Sequence, residues 1–89
     1  MVTKVILPKL EANMEEGRIV KWLKKEGDKI KKGEPLFVLE TLKAVFDVEA
    51  EASGTLLKII AKEGSNVPVT SVIAVIGEEG EEIPDELNK

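Results

Sequence analysis

At 89 residues the chain is the size of one small domain, long enough to fold without metals or disulfides but with a modest core. It has no Cys, His or Tyr, which excludes a disulfide staple, a thiol nucleophile and any Ser–His or Cys–His pair, and removes the usual zinc and transition-metal ligands. The net charge of −4 is uneven: residues 78–89 carry six acids against Lys89, whereas residues 1–77 hold 12 basic and 11 acidic groups, a near-neutral body unsuited to nucleic acid.

Strand signals follow one another along the chain. Residues 2–7 are β-rich and run into Pro8. Residues 17–23 alternate and contain β-branched and aromatic side chains. Residues 36–39, 44–50, 55–60 and 72–76 read the same way. Between them lie the turn-forming runs Gly27-Asp28, Gly33-Glu34-Pro35, Ser53-Gly54 and Gly64-Ser65-Asn66. No stretch of helical length holds a helical period; the nearest, residues 21–32, is broken by Gly27. Its lysines (Lys21, Lys24, Lys25, Lys29, Lys31 and Lys32) are softened by Glu26 and Asp28 and read as a solvated face. The class is therefore all-β. No apolar run reaches membrane-spanning length and none resembles a signal peptide, so the expected setting is cytoplasmic, with no membrane partner.

The sequence also repeats. Displaced by 37 residues, Gly17 falls on Gly54, Ile19-Val20-Lys21 on Leu56-Leu57-Lys58, and Lys25-Glu26-Gly27 on Lys62-Glu63-Gly64. Ile30, Leu36 and Val38 then meet Val67, Ile73 and Val75. Two copies are too few for a solenoid. They predict two similar packed sheets related by an approximate two-fold axis, with the repeated glycines at tight reversals. The packed body is expected over residues 1–77, and residues 78–89, acidic and Pro-containing, as a flexible linker or tail.

Residues 36–50 read as one uninterrupted strand of 15 residues. At about 3.3 Å per residue it would reach roughly 50 Å, while a globule of this length is only about 30 Å across. The chain must reverse, and the polar interruption Glu40-Thr41-Leu42-Lys43 is where it can, in a type I turn that needs no positive φ. Lys43 is thus expected at an exposed hairpin tip. Its flanks Leu42 and Ala44 are apolar where Asn, Asp or Gly would be usual.

Glu40-Thr41-Leu42-Lys43-Ala44 resembles the Glu-Thr-x-Lys-Ala motif of lipoyl domains, found in the acyltransferase component of 2-oxo acid dehydrogenase complexes. The resemblance extends over the body, through Leu7-Pro8-Lys9-Leu10 with Glu15-Glu16-Gly17, Lys25-Glu26-Gly27-Asp28, Gly33-Glu34-Pro35-Leu36 and the run from Ala50 to Gly54. It implies a flattened barrel-sandwich hybrid of two four-stranded antiparallel sheets, monomeric as an isolated domain. It also implies lipoic acid attached to Lys43 by a lipoate ligase or lipoyltransferase. The arm would then serve a thiamine-dependent 2-oxo acid decarboxylase, the acyltransferase core and dihydrolipoamide dehydrogenase. The domain itself would be a carrier without catalytic residues. Glu40, Thr41, Leu42 and Ala44 would contribute to partner recognition, and the loop over residues 10–16 would lie near the tip.

Leu42 departs from the family's more usual acidic residue or Met. Biotin carrier domains share the fold but flank their lysine with Met on both sides, so Ala44 favours lipoate over the biotin alternative. The glycine-cleavage carrier tolerates an apolar residue before its lysine but is a longer chain. Unmodified modules of the same shape, as in membrane-fusion adaptors, form the remaining alternative; the intact tip and uninterrupted halves argue against it.

Overall fold

The six expected strands all form, each within one residue of its expected bounds. They are β1 (Thr3–Ile6), β2 (Glu16–Trp22), β4 (Pro35–Glu40), β5 (Val45–Glu49), β6 (Gly54–Ile59) and β8 (Val72–Gly77). Two more, β3 (Lys29–Ile30) and β7 (Asn66–Pro68), are too short to show an alternation in the sequence. The computed structural model describes residues 2–83; of the expected tail, residues 84–89 lie outside the described residues.

The strands make two four-stranded antiparallel sheets, ordered β1-β8-β6-β3 and β5-β4-β2-β7. The 37-residue displacement carries β2, β3 and β4 onto β6, β7 and β8, so the internal repeat is a structural one. The two similar packed sheets expected from the repeat are present. A half of the chain is not a sheet, because the short strand of each half crosses to the other sheet: β3 pairs with β6, and β7 pairs with β2. The halves are clasped rather than merely stacked.

Inward-facing Leu7, Ile19, Leu36, Phe37, Leu39, Leu56, Ile73 and Ile76 fill the space between the sheets and are essentially inaccessible. Burying one such side chain stabilises the fold by about 1.5–3 kcal/mol. Trp22 closes one side, its ring 5.0 Å from that of Phe37 and its Nε1–H donating to the Ala61 carbonyl at 2.8 Å. Ile19 and Trp22 both face inward although three residues apart. The ladder shifts between Ile19 and Lys21, and the extra residue of a bulge restores the phase. The second half does the same between Leu56 and Lys58.

The repeated Lys-Glu-Gly has two physical causes. Gly27 and Gly64 take positive φ (94° and 86°) at their turns, as expected of glycine. Their N–H groups donate to the carbonyls of Leu56 and Ile19, each in the opposite half. The preceding glutamates also reach across. Glu26 accepts the Ile59 N–H at 2.7 Å and Glu63 accepts the Trp22 N–H at 2.9 Å. Each carboxylate satisfies a strand donor beyond the end of the short neighbouring strand, where no ladder partner remains.

Gly17 and Gly54 share a further constraint, and at Gly17 it replaces the reversal expected there. Both lie in strands. A Cβ on Gly17 would stand 2.6 Å from Leu39 Cδ1 and 2.9 Å from Met14 Cε; one on Gly54 would stand 2.8 Å from the Gly77 carbonyl oxygen. Close approach requires both, and Gly54 in addition takes positive φ (154°) where the chain enters β6.

Candidate functional site

The ladder between β4 and β5 ends at the pair Glu40–Val45, leaving Thr41 to Ala44 as the reversal. The longest dimension of the molecule is 38 Å, too short for the straight strand that residues 36–50 would otherwise make. No residue of the tip has positive φ, in keeping with the turn class expected from the absence of Gly. The Thr41 N–H donates to the Ala44 carbonyl at 2.8 Å. The Thr41 hydroxyl accepts the Lys43 N–H at 3.3 Å and the Ala44 N–H at 3.2 Å, and donates to the Ala44 carbonyl at 3.2 Å.

Leu42, Lys43 and Ala44 are all exposed, Leu42 completely so at 106%. No carboxylate pairs with the Lys43 amine among the described residues. Glu40 stands apart from the tip, opposite Arg18 on the outer face of the sheet, with Arg18 Nη1 3.4 Å from its Oε1. Both side chains are about half exposed, so the pair is worth less than about 1 kcal/mol. It joins the base of the hairpin to β2. The five residues singled out from the sequence therefore form one hairpin with different placements: an ion-paired base at Glu40, a hydroxyl inside the turn at Thr41, and three exposed side chains.

The loop before β2 lies beside the tip, as expected of residues 10–16. Loop residues Glu11 to Glu16, apart from Ala12, and hairpin residues Glu40 to Lys43 line one groove of about 470 Å³, together with Arg18 and Asn66. The loop is anchored by Met14, which the sequence reading passed over. Met14 is 7% exposed, its Sδ accepts the Leu10 N–H at 3.4 Å, and its own N–H donates to the Glu11 carbonyl. The available signal was a long apolar side chain isolated among Glu11, Asn13, Glu15 and Glu16.

The arrangement offers an exposed primary amine on a short hydrogen-bonded turn, with an acid-lined groove beside it. It suits attachment of a long acyl group, because nothing in the fold must move to bring the amine into another protein's active site. A family model described as "Biotin-requiring enzyme", the biotin/lipoyl attachment family, matches residues 3–76. The chain belongs to that family. This lipoyl-type domain is 55% identical over 84 residues to the dihydrolipoyllysine-residue acetyltransferase component of the pyruvate dehydrogenase complex of Rickettsia bellii, covering 93% of this chain and 20% of that protein. It is 46% identical over 80 residues to the mitochondrial pyruvate dehydrogenase protein X component of Mus musculus, covering 89% and 16%. Among solved structures it is similar to the lipoyl domain of the 2-oxoglutarate dehydrogenase complex of Azotobacter vinelandii, with a TM-score of 0.70, 29% identity, and coverage of 84% of this chain and 95% of that one. These relatives favour the lipoyl reading over the biotin one. The domain spans about a fifth of the curated relatives it matches.

Proposed function

We propose that Lys43 is the lipoate attachment point of a carrier domain belonging to a 2-oxo acid dehydrogenase complex. The single observation that carries this is the exposed, unpaired Lys43 at the tip of a hairpin within the Glu40–Ala44 motif. When attached, the dithiolane supplies reversible acyl and electron carriage. The chain's own residues provide the stem, the exposure and the recognition surface. Tethering raises the local concentration of the arm at each active site. The proposed partners are a lipoate ligase or lipoyltransferase, a thiamine-dependent decarboxylase, an acyltransferase core and dihydrolipoamide dehydrogenase.

The packed body is proposed to end at Gly77, where β8 ends, and the acidic residues 78–89 to serve as linker. Leu42 and Ala44 are proposed as small apolar contacts for partners, and the groove-side loop as a further recognition element.

Coexpression with lipoate ligase, and separately with biotin ligase, followed by intact mass measurement tests the reading. A lipoyl-sized gain that Lys43→Arg abolishes is the expected result. A biotin-sized gain instead would move the chain to the biotin carriers.

A further inference from the structure

We propose that the Thr41 hydroxyl is a positioning group for the modification of Lys43, holding the lysine backbone in the presentation that the ligase accepts. The inference rests on the carrier reading above and assigns Thr41 a role inside the turn rather than on the partner surface. Tight hairpin reversals ordinarily use Gly or Asn at positive φ to match the twist of the strands. Leu42 and Lys43 can do neither cheaply, and the tip has no positive φ. A reversal built this way leaves N–H groups without a ladder acceptor. The Thr41 oxygen accepts two of them, from Lys43 and Ala44, and its proton goes to the Ala44 carbonyl. One hydroxyl thus closes a ring of contacts around the peptide unit that bears the lysine, in the manner of Ser/Thr side chains that substitute for backbone in turns.

No other side chain among the described residues hydrogen-bonds to residues 42–44. Leu42 and Ala44 point to solvent, so packing does not hold the tip either. Without the hydroxyl, water would satisfy these N–H groups and the tip would sample several conformations. In the reaction the deprotonated Lys43 amine attacks the carboxyl carbon of a ligase-bound acyl-adenylate. The amide C–N bond forms, AMP leaves with its oxygen's electron pair, and the amine's second proton passes to solvent. A lysine whose stem is already fixed reaches that carbon with less ordering to do on docking.

The test compares wild type with Thr41→Val, which keeps the β-branched shape but removes the hydroxyl, and with Thr41→Ser, which keeps the hydroxyl. Two readouts are taken on each: kcat/KM for lipoylation by lipoate ligase, and amide hydrogen exchange at Lys43 and Ala44 by NMR. We expect Thr41→Val to exchange these two amides about three- to tenfold faster, the range of a single modest hydrogen bond, and to lose about tenfold in kcat/KM. Exchange in the β4 and β2 cores should stay unchanged and Thr41→Ser should restore both values. Unchanged lipoylation in Thr41→Val overturns the proposal. So does slowed lipoylation with unaltered exchange, which would make Thr41 a direct ligase contact, and so does failure of Ser to rescue. If wild type takes biotin and not lipoate, the cargo reading fails, and the same comparison run with biotin ligase decides the role of Thr41.

Discussion

The two halves of this molecule make the same frame and finish it differently. Residues 41–44 correspond to residues 78–81 under the 37-residue displacement, and both follow a strand that ends at an equivalent position. The first turn is closed by a hydroxyl and sends Leu42 and Lys43 outward. The second is closed by a carboxylate that folds back: the Glu78 N–H donates to Glu81 Oε1 at 2.9 Å, and the same oxygen lies 2.7 Å from where a Gly77 Cβ would stand. A frame common to both halves therefore does not make a carrier site. What distinguishes the first half is a turn that holds its backbone from within and leaves its side chains free.

The sharpest way to break the equivalence is at the paired glycines. Gly54 faces a fixed obstacle, the Gly77 carbonyl oxygen at 2.8 Å, whereas Gly17 faces the ends of the Leu39 and Met14 side chains. Gly54→Ala is expected to lose about 3 kcal/mol, because backbone must move. Gly17→Ala is expected to lose about 1–2 kcal/mol through repacking, and also to displace Met14 and with it the loop beside Lys43. Urea unfolding of the two variants checks the order. Equal losses would mean that both sites relax alike.

The crossed glutamates come next. The Glu63 bond to the Trp22 N–H is partly buried, and the Glu26 bond to the Ile59 N–H is exposed. Glu63→Ala should cost about 1.5 kcal/mol and Glu26→Ala about 0.5 kcal/mol, since an exposed donor regains water when its acceptor is lost. Thermal unfolding gives both values, and the reverse order would contradict the burial argument.

A smaller effect of opposite sign is expected where the repeat is imperfect. Gly33 takes φ 94° at its turn, and its equivalent Thr70 is forced to φ 69°. Both N–H groups make the equivalent bond, Gly33 to the Ala50 carbonyl and Thr70 to that of Leu7. The left-handed backbone costs a β-branched residue about 1–2 kcal/mol, so Thr70→Gly should stabilise by about 0.5–1 kcal/mol after the extra freedom of glycine in the unfolded chain is subtracted. Gly33→Ala should destabilise by a similar amount.

These pairs also show what the sequence could convey. The apolar periods of residues 17–23 and 55–60 located β2 and β6, and the length limit on residues 36–50 located the Lys43 reversal, because both rest on spacing alone. The exchange of β3 and β7 between sheets was illegible, since two or three residues carry no period. The reason for Glu26 and Glu63 was hidden because each acts on the other half, 33 and 41 residues away. At the hairpin tip, the exposed position of Lys43 was legible from the length limit. The internal role of the Thr41 hydroxyl was not, because a hydrogen bond within a turn leaves no mark on hydropathy.

The smallest effect separates Glu34 from its equivalent, Ser71. Glu34 Oε1 accepts the Lys31 N–H at 2.7 Å and Oε2 lies 3.6 Å from Lys24 Nζ. The Lys31 backbone donor above all holds its carboxyl below the ordinary value of 4.5; desolvation opposes it, and the charges of Lys24 and Lys31 add to the lowering. A carboxylate with a lowered folded pKa contributes stability that is complete above its unfolded value and is lost as pH falls through the folded one. Wild type should therefore lead Glu34→Gln slightly in Tm at about pH 7, and the lead should shrink below about pH 4.5 and vanish once Glu34 is protonated in both states. Ser71 does not titrate, so Ser71→Ala should shift Tm equally at both pH values. A Glu34→Gln difference that persists unchanged into acid would show that the side chain acts through shape and neutral hydrogen bonding, and that the two halves do not differ electrostatically at this turn.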